Sequence, residues 1–270
     1  MQQSDGSGLY LLFEDGRRPS AALLHAFAAA SQNVSISHDP TGSESLLFGN
    51  SPDVTLSNSE VGTGILPLSK QWVEVLRDGL TFDLAGLAPG PACALPAFTH
   101  RFDWDEAAAA RRYEALHLAP GPHLAGGAGA VPVLRAMVAL ARDLALFFGE
   151  LAAVVWLPSA SLIGRRFFES TATAWLDGGP FPALGLTAFS LAPDGALETR
   201  GLALWIGQEL RIEPALAQDK VAATRLGVRL VNHLVMLGGL RGEERIVAPD
   251  GTRLVMVPAP QGGLVRVQRE

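Results

Sequence analysis

The chain reads as an α+β protein with largely antiparallel sheets, and three observations predict this. Strand-like and helix-like segments alternate without the strict β-α-β repetition of a parallel sheet. Two turn signals, Pro193-Asp194-Gly195 and Asp250-Gly251, each sit between β-type runs, as in antiparallel hairpins. The order β-α-β-β-α-β over the first hundred residues suits a ferredoxin-like unit. The expected architecture is therefore two ferredoxin-like-type α/β sandwich modules, residues 1–90 and 95–270, with one continuous domain as the alternative.

Bulk composition supports a folded chain. Hydrophobic residues make up 48% of the 270 positions and charged residues 18%, enough apolar material for a sizeable core. With 21 basic and 27 acidic residues the net charge is −6, which argues against nucleic acid as the partner. Cys93 is the only cysteine, so an intramolecular disulfide is excluded. The first residues show no basic stretch followed by an apolar one, and the most apolar window, 144–158, is broken by Glu150. The expected location is the cytoplasm, with no membrane contact.

Leu9 to Glu14 reads as a strand ended by Asp15-Gly16, and Ser20 caps a helix carrying Leu23, Leu24, Phe27 and Ala30. Val34 and Ile36 alternate with serines as in a half-buried strand. Residues 45–49 and 53–56 are strand candidates, and Leu66-Pro67 reads as the start of a helix running through Val73 and Leu76 to Asp78-Gly79. The Pro-rich run 87–96 is a linker candidate, and 97–102 a strand. Asp103, with Glu106 three residues later, predicts a capping box on an Ala-rich helix that ends near Leu118. Residues 119–130, rich in Pro and Gly, form a second linker.

The pattern strengthens beyond this point. Val133, Met137, Leu140, Leu144 and Phe147 recur at helical spacing over 132–149. A buried strand, 152–157, and a helix, 163–176, follow. Leu184 to Leu191 and Thr199 to Ile212 read as a strand pair, the second strand bent at Gly207. Leu226, Leu230, Leu234 and Leu237 line one face of a helix ended by Gly238-Gly239, and a closing hairpin spans 245–257.

No motif calls for a cofactor. The glycines at 126, 127 and 129, and those at 62 and 64, lack the strand and third glycine of a dinucleotide loop. His117 and His123, with Asp103, Asp105 and Glu106 nearby, raise a metal site, but acidic residues at a helix start are accounted for by its dipole. His25, His100 and His233 fit satisfied, partly buried histidines, and Trp156, Trp175 and Trp205 fit core or interface anchors. No Ser/His/Asp set, Walker loop or H-E-x-x-H pattern is present. Arg165-Arg166, opening a helix, could grip a carboxylate or phosphate. Glu209, at the end of a strand, has no local explanation. The binding candidates are therefore Arg165, Arg166, Trp205, Glu209 and His233, with no catalytic residue and no metal ligand.

Thr199-Arg200-Gly201-Leu202 followed by Glu209-Leu210-Arg211-Ile212 resembles a bacterial family known only as a domain of unknown function. That family shows a Thr-x-Gly-Leu stretch, an aromatic-Gly pair and Glu-Leu-x-Ile, with a late turn to which Asp250-Gly251-Thr252 is a partial match. Here Ile206 stands between Trp205 and Gly207, where the family has the pair adjacent. The resemblance implies no activity or cofactor. The residues together predict a non-catalytic interaction or regulatory protein, immunity- or chaperone-like, whose partner is another protein. The alternatives are a small-molecule sensor binding between the two modules, and an enzyme built around Arg165, Glu209 and His233.

Overall fold

The computed structural model describes residues 8–40, 72–248 and 250–270. The expected strands at 45–49 and 53–56, the glycines at 62 and 64 and the Leu66-Pro67 helix start lie outside the described residues. The protein is α+β with two mostly antiparallel sheets.

The first sheet comprises β1 (Leu9–Glu14), β2 (Val34–His38), β3 (Trp72–Arg77), β4 (Leu80–Ala85), β5 (His100–Phe102), β6 (Tyr113–Pro120), β7 (Leu151–Trp156) and β8 (Ser161–Gly164). Their spatial order is β2-β3-β4-β6-β1-β7-β8-β5, and only the β5–β8 pair is parallel. The second sheet comprises β9 (Ala188–Leu191), β10 (Leu197–Arg200), β11 (Glu209–Ile212), β12 (Glu244–Val247), β13 (Arg253–Pro258) and β14 (Leu264–Arg269). It runs β12-β13-β14-β11-β10-β9, with β11 and β14 parallel.

This pairing departs from the expected modules. A ferredoxin-like unit is built on a split βαβ, whose parallel strands flank a single intervening one. Here β1 is antiparallel to both neighbours, and β6, β4 and β3 all separate it from β2. The linker at 87–96 does not divide the sheets either, because strands from both sides of it belong to the first sheet. The change of sheet comes after β8.

The central strands are apolar on both faces because both faces are covered. Leu9, Leu11 and Phe13 pack toward helix α3 (Val131–Phe147), whereas Leu12, Ala153, Val155 and Leu162 form a second cluster under Phe98, Trp104 and Tyr113. Helix α1 (Ala21–Ala30) is capped as expected, the Ser20 hydroxyl accepting from the Leu23 N–H at 3.3 Å. Helix α4 (Arg165–Leu176) packs against α3, and α6 (Lys220–Leu237) packs against the second sheet. One apolar core runs through both sheets, from Leu9 to Val267.

Several segments differ from their expected form. Residues 72–77 are strand, not helix: Val73, Val75 and Arg77 face inward in strict alternation, and buried Arg77 pairs with Asp143 on α3. Asp78 and Gly79 both have positive φ, the geometry of a two-residue hairpin turn, where a helix end was expected. The Ala-rich helix is a single turn, α2 (Glu106–Ala109), and Asp105, not Asp103, accepts from the Ala108 N–H at 2.6 Å. Residues 113–120 are strand because β1 and β4 both offer free edges there, and sheet pairing outweighs helix propensity. Strands β4, β8 and β14 are additional to the expected elements.

The row His38, Glu74, Asp83 crosses β2, β3 and β4 in register. Burial, and then the opposed Glu74, push the Asp83 carboxyl up to about 6, against the lowering influence of His123 and His38. A carboxyl held above its ordinary value favours the folded state below that value, and the contribution fades as pH rises through about 6. Asp83→Asn should therefore gain stability relative to wild type as pH rises from about 4.5 to about 8. Urea midpoints at the two pH values check this; a mutant-to-wild-type difference that does not change with pH would contradict it.

Candidate functional site

The expected second strand, 199–212, is two strands with a one-turn helix, α5 (Ala203–Ile206), between them. Gly201 turns the chain at φ +92° and Gly207 ends the helix at φ +75°, conformations that glycine adopts without the penalty of a Cβ. A Cβ on Gly201 would also lie 3.0 Å from the Ser159 backbone nitrogen, in the loop joining β7 to β8. The turn thus carries the second sheet directly onto the first.

Glu209 organises this corner. Its carboxylate accepts from the Thr199 hydroxyl at 2.6 Å and from the backbone N–H groups of Gly201, Leu202 and Ala203 at 2.8, 3.2 and 3.1 Å. Thr199 in turn accepts from the Leu210 N–H at 2.7 Å. The open N–H groups of the short helix are satisfied by a side chain six to eight residues downstream, which local capping rules do not anticipate. Glu209 therefore holds backbone in place and is not oriented toward an open site.

Trp205 projects from the capped turn into the seam between the sheets. Its ring stacks on Trp156 of β7 at 5.9 Å and meets Trp175 of α4 and Phe181 edge-on at 5.5 and 5.0 Å. Arg135 of α3 lies over the Trp175 ring at 4.8 Å and donates to the Leu176 carbonyl oxygen at 2.8 Å. The indole N–H groups of Trp156 and Trp205 are buried without an acceptor among the described residues. Below the rings the Ser159 hydroxyl donates to the Gly185 carbonyl oxygen at 2.7 Å and lies 2.8 Å from the Ser161 hydroxyl. The seam between the two sheets is filled by side chains.

The remaining candidates are dispersed. Arg165 is held by Glu169 at 2.5 Å and by the Gly149 carbonyl oxygen, while its neighbour Arg166 is exposed. Both line a polar cleft of about 330 Å³ with Glu14, Asp103 and Arg111, and there Arg111 is paired with Glu14. His233 bonds Glu244 of β12 at 2.8 Å, tying the end of α6 to an edge strand. Trp205, Glu209, His233 and the arginine pair do not form one constellation. Among the described residues no group of three or more His, Cys, Asp or Glu side chains is placed to hold a metal. His117, one of the metal candidates, packs against Tyr10 with 4.5 Å between ring centroids, and burial lowers its pKa.

Two larger concavities flank α6. One, about 520 Å³, lies between Leu184 and the first three turns of the helix and is lined by Lys220, Val221, Thr224, Arg225, Val228 and Arg229. The other, about 510 Å³, lies toward the β12–β13 hairpin and shares Arg225 and Arg229 with the first. Lys220, Arg225 and Arg229 make no ion pair among the described residues. These residues were not among the sequence candidates. The signal was present: Arg225 and Arg229 are one turn apart, opposite the inward Leu226, Leu230 and Leu234.

Comparison with family models, with curated proteins and with solved structures gives no match. The chain's own geometry must carry the functional reading.

Glu209→Gln would place an amide NH2 against N–H donors, leaving some of the cap unpaired. It should lower stability by about 2 kcal/mol or more. Chemical denaturation checks this, and a change below about 0.5 kcal/mol would show that the cap is not needed.

Proposed function

We propose that the chain is a non-catalytic interaction or regulatory protein, immunity- or chaperone-like, that docks another protein on the outer face of α6. The observation that supports this is the character of that face. Val221 is 61% exposed and Met236 83% exposed, on the same helix whose arginines line both large clefts. Large apolar side chains left exposed along one helix are a mark of interaction surfaces. We further propose that the Thr-x-Gly-Leu and Glu-Leu-x-Ile stretches mark an uncharacterised family; the Glu209 corner supports a structural role for them.

A small-molecule sensor is the second reading, favoured by one observation: the 520 Å³ cleft falls within the range of ligand pockets. Its site would be beside α6, since the seam between the sheets is filled.

Site-specific photo-cross-linking in cells separates the two. A benzophenone side chain at Val221 or at Met236 should each give the same discrete protein adduct, while one at Ser170 on α4 should give none. Adducts absent at both α6 positions would overturn the docking reading.

A further inference from the structure

The surface carries one more feature that the docking reading does not by itself explain, which is its sign of charge. The chain is net −6, yet the 520 Å³ cleft is lined by Lys220, Arg225 and Arg229 and by no carboxylate. Two carboxylates line the adjoining 510 Å³ cleft that Arg225 and Arg229 share: Asp219 caps α6, accepting from the Val221 and Ala222 N–H groups at 2.8 and 3.1 Å, and Asp250 accepts from the Thr252 N–H at 2.9 Å. Arg200 adds to the positive field, acting with Lys220 to lower the pKa of His100 beyond the larger effect of burial. Three cations that make no ion pair among the described residues, set around an apolar wall, form an amphipathic surface with one charge preference.

Resting on the interaction reading, we infer that the partner presents an acidic amphipathic helical segment to this cleft, with carboxylates one helical turn apart and aliphatic side chains between them. The spacing follows from the receptor. Arg225 and Arg229 stand four residues apart on one helix, so their side chains emerge about 6 Å apart on the same face. Carboxylates at the same repeat on a facing helix meet both guanidinium groups, each able to accept two parallel N–H bonds. Leu184, Val221 and Val228 then receive the aliphatic residues of that segment. A nucleic-acid backbone would satisfy the cations and leave this apolar wall against water, so a protein segment is the better fit.

The test uses two synthetic helical peptides and the full chain. One peptide is built from Leu, Ala and Glu with Glu pairs one turn apart; its twin carries Lys at every Glu position. Fluorescence anisotropy should show the acidic peptide binding at least about tenfold more tightly than its twin, with affinity falling as salt rises. Arg225→Glu/Arg229→Glu should reverse that order. Arg17→Glu/Arg112→Glu, a charge reversal in the segments just after β1 and just before β6, should leave it unchanged and controls for diffuse attraction. Equal binding of the two peptides, no binding of the acidic one, or equal loss in the control variant would overturn the inference. Acidic-peptide binding in vitro with no adduct at Val221 or Met236 in cells would instead sink the docking reading and leave the cleft's anion preference standing.

Discussion

The carboxylate of Glu209 is the interaction on which the joining of the two sheets depends. By accepting four hydrogen bonds from Thr199, Gly201, Leu202 and Ala203, it closes the turn between β10 and β11 and fixes the direction of α5. Trp205 rides on that helix, and its placement against Trp156, Trp175 and Phe181 converts two sheets into one continuous core. Each N–H donor is oriented by the cap itself, so the carboxylate acts on geometry as well as on energy.

Aromatic rings fill the seam between the two sheets, where the buried Ser159 hydroxyl bonds the Gly185 carbonyl oxygen and lies beside that of Ser161. The corner's polar groups are spent on backbone. The outer surface of α6 is exposed, while its inner face is anchored by Leu230, Val231 and Leu234. The solvent side of the helix carries Lys220, Arg225 and Arg229, which make no ion pair among the described residues and are the basis of the proposed docking surface.

Much of this fold is legible where periodicity is long. The α3 and α6 helices carry repeating apolar residues over four turns or more, and Gly238 ends α6 in the left-handed conformation that a C-terminal glycine implies. The Asp250-Gly251 turn between β12 and β13 follows from its dipeptide. The misread segments have different causes: Trp72–Arg77 carries a period-two pattern that agrees with its strand but is obscured by the Leu66-Pro67 helix signal, whereas the local preference of Tyr113–Pro120 loses to sheet pairing. The corner is half visible. Glu209 stands out as a residue without a local reason, yet its role depends on a helix that Thr199 to Ile212 conceals, because four residues are too few to show a period. The basic face of α6 is harder to read, because two arginines one turn apart have the same pattern as any solvated helix surface.

The central claim is that the Glu209 cap positions Trp205, and a double-mutant cycle tests it most directly. Glu209→Gln, Trp205→Leu and the double variant are compared by denaturant unfolding. The account predicts a coupling of about 1 kcal/mol or more, because loosening the turn already forfeits some of the stacking that Trp205→Leu removes. Effects that add to within about 0.3 kcal/mol would show that cap and aromatic seam are independent, and would contradict it.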